Sequence, residues 1–125
     1  MLFRSAPLEA HALRDRNPTF VRLHDGSIRN GYTLKIANKD RDVSTLTLEL
    51  VAPQPLQVAV QEGVAMGDNR FGVTTRPDGI TQWRVLVTRP EGLPARESMD
   101  VTFRLLDARG HVVASSHSVF LGPRP

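Results

Sequence analysis

Residues Arg14–Lys39 read RDRNPTFVRLHDGSIRNGYTLKIANK. The second half of this stretch decides the fold. From Ile28 the chain alternates: Ile28, Asn30, Tyr32, Leu34, Ile36 and Asn38 share one face, and Arg29, Gly31, Thr33, Lys35 and Ala37 share the other. A period of two is that of a strand with one buried face, and Ile, Tyr and Thr favour that state. Upstream, Val21 and Leu23 alternate with Arg22 and His24, and Asp25-Gly26 is a turn dipeptide. The stretch therefore predicts strand, turn, long strand.

The same period continues towards the C-terminus. Leu46, Leu48 and Leu50 alternate with Thr45, Thr47 and Glu49, and Pro53 and Pro55 end that strand. Leu56, Val58 and Val60 give a short strand, Gln61–Asn69 reads as a loop, and Arg70–Thr74 as a short edge strand. Arg76-Pro77-Asp78-Gly79 is a turn in which Pro fixes φ and Gly supplies its positive value. Trp83, Val85 and Val87 mark the next strand, whose outward Leu86 predicts cover on both faces. Met99, Val101, Phe103 and Leu105 mark another, Asp107–Gly110 a turn, and Val112–Phe120 the last strand. No helical period appears. The expected fold is all-β, an immunoglobulin-like β-sandwich of about seven to nine antiparallel strands over residues 14–125. Residues 1–13 are expected to be a lead-in tether. A closed barrel is the other architecture that the pattern allows.

Composition narrows the function classes. The 125 residues suit one domain. There is no Cys, so disulfides, thiolate metal sites, iron–sulfur clusters and cysteine nucleophiles are excluded within this chain. The net charge of +3 comes from 14 Arg and only 2 Lys, scattered among Asp and Glu. A nucleic-acid footprint is a clustered basic stripe, so nucleic acid is not an expected partner. No apolar run approaches the roughly 20 residues of a membrane helix. Arg4, Glu9 and His11 interrupt any signal-peptide core in Met1–Ala12.

Catalysis is not expected. The four His residues (His11, His24, His111, His117) show no i, i+2 or i+4 pair of the kind that metal sites use. Ser115-Ser116-His117-Ser118 lies on a strand, where neighbouring residues point to opposite faces, and no nucleophile elbow surrounds any Ser. Gly63, Gly67 and Gly72 lack the features of a phosphate loop.

The polar residues that stand out are structural or interfacial. Pro18 should hold Asn17 extended, and Asp15 and Asn17 can bond nearby backbone where the chain enters the sandwich. Arg16 is expected to pair with Asp25 or to lie against the end of the sandwich. Asn30 and Asn38 sit on an apolar face and must be hydrogen-bonded there, and the hydroxyl of Tyr32 needs a backbone partner. Arg29, Arg76, Arg84, Arg89 and Arg104 are candidates for one basic face, suited to a partner protein or lipid headgroups.

Three pieces of the first segment, DRNP at Asp15–Pro18, LHDGSIRN at Leu23–Asn30 and GYTLKIANK at Gly31–Lys39, together resemble the C-terminal domain of the FixG/RdxA/CcoG family of cytochrome oxidase accessory proteins. QWRVLVT at Gln82–Thr88 and SVFLGP at Ser118–Pro123 extend the resemblance from about Arg14 to Pro123. It implies a parent in the bacterial inner membrane that carries 4Fe-4S clusters and acts in maturation of cbb3-type cytochrome oxidase, by way of copper. It implies that this domain is a cofactor-free, non-catalytic tail on the periplasmic side, with residues 1–13 leading from a membrane segment. The partners implied are oxidase subunits, a copper chaperone or the parent's own membrane domain. The interface residues expected are Asp15, Arg16, Asn17, Pro18, Asp25, Arg29, Asn30, Tyr32, Arg84 and Arg104. The other readings are a stand-alone immunoglobulin-like binding module and a copper-binding module.

Overall fold

The computed structural model describes residues 8–42 and 44–125. Ten strands account for the regular structure: β1 Leu8–Arg14, β2 Val21–Arg22, β3 Ile28–Asn38, β4 Ser44–Val51, β5 Gln57–Val60, β6 Val64–Gly67, β7 Arg70–Thr75, β8 Gly79–Arg89, β9 Ser98–Leu106 and β10 Val112–Leu121. They form two antiparallel sheets. Sheet one has the order β1-β3-β8-β5, with β2 also on β3; sheet two has the order β10-β9-β4-β7-β6. This is the expected sandwich, since each sheet is apolar on the face turned to the other.

The long strand β3 shows why. Its residues alternate without a break between buried and half-buried, with Ile28, Asn30, Tyr32, Leu34, Ile36 and Asn38 inward. Leu46, Leu48, Val73, Val85, Val87, Val101, Phe103, Leu105 and Phe120 meet them from the other core strands. Tyr32 and Phe103 touch edge to face, with ring centroids 4.9 Å apart, and so tie the two sheets at the centre.

Several local expectations change. Residues 8–13, which fall within the expected tether, belong to β1, paired along its length with Tyr32–Asn38 of β3. Its signal is weak because only Leu8 and Ala10 are buried and both are small or isolated apolar positions. Residues 1–7 lie outside the described part. Gln61–Asn69, expected as a loop, contains β6, which pairs with β7. All four residues of β6 are exposed, so it has no inward face to produce an alternation. That pairing also places β7 inside sheet two, between β4 and β6, rather than at an edge.

The sheets nearly close along one side. β1 and β10 run beside each other, and Ser116 Oγ accepts a hydrogen bond from the Ala12 amide at 2.9 Å. No ladder joins them, so the molecule is a sandwich and not a barrel.

Candidate interaction site

β1 and β2 lie on the same flank of β3. Arg14 pairs with Tyr32 and Val21 with Arg29, so seven steps along the outer chain answer three along β3. Four residues are spare, and they are the reason that the DRNP segment loops out. Asp15 still holds the ladder, its amide donating to the Gly31 carbonyl at 2.9 Å. The Asn17–Pro18 peptide is cis.

The loop is held by an ion pair across the outside of sheet one. Arg84 on β8 donates Nη1 to Asp15 Oδ1 at 2.7 Å and Nη2 to Oδ2, a two-pronged contact. The Arg84 hydrogen bonds pull the Asp15 carboxyl below its usual range, and Asp15 in turn raises Arg84. Both side chains are about one third exposed, which limits what the pair contributes. Gly31 lies beneath them on the intervening strand. A Cβ there would collide with both the guanidinium and the carboxylate. Gly at this mid-strand position is thus a matter of space.

Below the ion pair the loop covers a cleft of about 190 Å³, walled by Pro18, Phe20, Arg29 and Leu86. Leu86 therefore has the outer cover that its place in an apolar run predicted. Arg29 lines this cleft, whereas Arg16 lies in a separate groove beside Ala12–Arg14 of β1 and His117–Val119 of β10; neither has an ion-pair partner among the described residues.

A family described as "IG-like fold at C-terminal of FixG, putative oxidoreductase" matches residues 1–123. The chain belongs to this FixG C-terminal family. The nitrogen fixation protein FixG of Rhizobium meliloti (strain 1021) is 43% identical over 89 residues, which are 68% of this chain and 16% of FixG. Protein RdxA of Cereibacter sphaeroides is 35% identical over 114 residues, 87% of this chain and 23% of RdxA. A crystal structure of a FixG-related protein from Vibrio parahaemolyticus superposes with a TM-score of 0.74 at 18% identity, covering 94% of this chain and 98% of that one; it shares the fold. The chain spans 16% to 23% of the length of the curated relatives it matches.

In this FixG-type domain the remaining expected residues separate into distinct places. Asn30 and Tyr32 face inward and serve the core. Asn30 Nδ2 donates to the Leu121 carbonyl at 2.7 Å and its Oδ1 accepts from the Leu121 amide at 2.9 Å. The Tyr32 hydroxyl donates to the Val119 carbonyl at 2.6 Å, and burial pushes its pKa far up. Asn38 pins the other end, donating to Asp42 O and Thr75 Oγ1 and accepting from the Asp40 amide. Asp25 does not meet Arg16. It closes its own turn by accepting from the Ser27 hydroxyl and from the Ser27 amide, and these two bonds lower its pKa, the hydroxyl's the more. Arg16 instead lies beside Ala12–Arg14 and His117–Val119, on the flank where β1 meets β10.

The five arginines do not form one basic face. Arg29 and Arg84 lie outside sheet one. Arg104 lies outside sheet two, where Glu49 sits between Arg104 Nε at 3.2 Å and Arg70 Nη2 at 3.0 Å. The Arg104 contact lacks the alignment of a hydrogen bond, as that Nε is buried and has no such partner. Arg76 stands at a turn between sheets. Arg89 points inward and is only 6% exposed, its Nη1 donating to the Arg96 carbonyl at 3.2 Å. Adjacent strands sent these residues to different faces because the register of each strand was fixed by its own apolar residues.

Sequence reasoning missed Gly31, Phe20 and Glu49. The isolated Gly within a strong strand pattern was the available signal for a close approach from outside. Among the described residues no group of three or more His, Cys, Asp or Glu could hold a metal ion, and no helix is long and apolar enough to cross a membrane.

Proposed function

We propose that this domain is a docking module of a membrane-bound iron–sulfur protein that acts in assembly of cbb3-type cytochrome oxidase, and that it catalyses nothing itself. In this reading it stands on the periplasmic side and presents the outer face of sheet one to an oxidase subunit, a copper chaperone or the parent's membrane domain. The observation that carries the reading is the clasped DRNP loop. It is a loop pinned by a two-pronged ion pair, with a small cleft of mixed polar and apolar lining beneath it, Arg29 in the cleft wall and Arg16 exposed on the loop itself. A rigid, mixed apolar and cationic patch suits recognition of an acidic-rimmed protein surface, because little ordering entropy is lost on binding. Membership in the FixG C-terminal family supports a FixG-like parent, and the assembly role is part of this proposal.

The test is made in the native host with the full-length parent. Arg16→Glu together with Arg29→Glu should lower cbb3 oxidase activity while the parent's amount in the membrane stays unchanged. Unchanged oxidase activity in that strain would overturn the docking reading. The copper-binding reading has less support, since His11, His24, His111 and His117 are scattered over separate segments. Copper titration of the isolated chain tests it.

A further inference from the structure

β8 is longer than the strand on its outer flank. β5 pairs with it only from Gln57 opposite Thr88 to Val60 opposite Val85, and a last bond runs from the Gln61 amide to the Arg84 carbonyl at 3.0 Å. Beyond that point Glu62 takes φ 66° and the Gly63 amide turns back to the Val60 carbonyl at 3.1 Å. β5 therefore leaves the sheet. On its other flank β8 stays paired with β3 down to Gly79.

The first half of β8 is thus a bare edge. In an antiparallel strand, alternate residues send their amide and carbonyl to opposite flanks. The Arg84 carbonyl points towards β5, so the backbone groups of Gln82 and Ile80 point to that flank as well, past the end of β5. They have no partner among the described residues. Exposed edges are ordinarily guarded by Pro, Lys or a bulge. Gly79–Trp83 reads GITQW, with none of these, and Ile80 is 64% exposed.

The charges at the two ends of this edge say what fits it. Arg76 stands beside Gly79, where a Cβ on the glycine would lie 3.8 Å from the Arg76 Cβ. Glu62 stands at the opposite end, directly after Gln61. Both line the groove along this edge, with Trp83 between them. Neither has an ion-pair partner among the described residues. An edge with a cation at one end and an anion at the other is its own complement when a second copy is turned by a two-fold rotation.

We propose that the chain forms a two-fold dimer by antiparallel pairing of the β8 edges of two copies, with Thr81 on the axis. Ile80 of each copy then faces Gln82 of the other, which gives four backbone hydrogen bonds. Gly79 lies opposite Trp83 and leaves space for the indole. Glu62 of each copy faces Arg76 of the other at both ends. The pairing is short, so the dimer is weak in free solution and is favoured by the high local concentration of a membrane-held parent. It uses a different edge from the clasped loop and stands or falls independently of the docking reading.

Sedimentation equilibrium of the 125-residue chain from about 10 µM to about 1 mM covers the affinity range of such a contact. The mass should rise from 13.9 kDa towards twice that value. Gln82→Pro, which removes an amide that β3 does not use, should stay monomeric throughout. Glu62→Arg and Arg76→Glu should each stay monomeric alone, yet associate when mixed, because the mixture restores opposite charges at both ends. If Gln82→Pro does not fold, the charge exchange decides by itself. A wild type that remains monomeric at the highest concentration overturns the proposal. So does a dimer that persists in Gln82→Pro, or a mixture that associates no better than its components, including the case where the edge binds only an unrelated extended peptide.

Discussion

Asp15 and Arg84 are 69 positions apart in the chain and meet over Gly31, which has no side chain to keep them apart. Each of the three residues depends on the others in a different way. Removing either charge leaves the other about one third exposed and able to hydrate, so Asp15→Ala or Arg84→Ala should each cost about 1 kcal/mol or less. Gly31→Ala keeps both charges but puts a methyl group where they meet. It should cost no more than losing the pair, about 1 kcal/mol or less, because the atoms met are the movable ends of two flexible side chains. Urea unfolding of the four proteins compares them. A Gly31→Ala protein as stable as wild type would mean that the pair yields freely.

The same contact gives a pH dependence with a definite sign. The Arg84 hydrogen bonds hold the Asp15 carboxyl below the usual carboxylate range. A depressed carboxyl contributes stability above its unfolded pKa and loses it as pH falls through the lower, folded value. The loss therefore lies in the acid range, below about pH 4. Asp25 and Asp107 are depressed too, by hydrogen bonds from Ser27 and from the His111 amide, so wild type destabilises in acid for several reasons. The diagnostic quantity is the difference between wild type and Asp15→Asn. It should be constant from pH 8 to about pH 5 and shrink towards zero in acid. A difference that does not shrink would detach Asp15 from the pH response.

Asn30 and Tyr32 both tie β3 to β10, but their loss should differ. Asn30 serves both the amide and the carbonyl of Leu121 from a fully buried side chain. Asn30→Ala strands two backbone groups and opens a small cavity, and should cost about 2–4 kcal/mol. Tyr32→Phe keeps the edge-to-face contact with Phe103 and leaves only the Val119 carbonyl unbonded, for about 1 kcal/mol. Thermal unfolding compares them. Hydrogen exchange should show the Leu121 amide losing protection in Asn30→Ala and keeping it in Tyr32→Phe.

These contacts mark how far the sequence could be read. The alternation over Ile28–Asn38 placed Asn30, Tyr32 and Asn38 inward, and inward polar atoms had to find backbone partners. Their existence was legible, while the identity of the partners was not, since Leu121 and Val119 come from the far end of the chain. The outer face was harder to read. Asp15 and Arg84 were both prominent, but a strand period says only which face a residue takes and never which strand lies beside it. Strand order alone brings them over Gly31. β1 and β6 escaped for another reason: an edge strand that buries little carries little periodicity, so Val64 and Met66 look like loop residues.

Arg89 is the buried charge that the sequence assigned to the surface. It occupies the inward position two residues after Val87, is 6% exposed, and has no ion-pair partner among the described residues. Its Nη1 donates to the Arg96 carbonyl at 3.2 Å, a neutral acceptor that leaves the charge itself uncompensated. Desolvation of the guanidinium is therefore poorly offset, and its aliphatic stem does the packing. Arg89→Met keeps the stem and removes the charge. It should leave stability unchanged or raise it by about 1 kcal/mol, as replacement of weakly compensated buried charges does elsewhere. Arg89→Ala removes the stem as well and should cost about 2 kcal/mol through the cavity left near Gly122. Urea unfolding of both variants separates the two effects. A loss of more than 1 kcal/mol in Arg89→Met would show that the charge itself holds Arg96 and Gly122 in place.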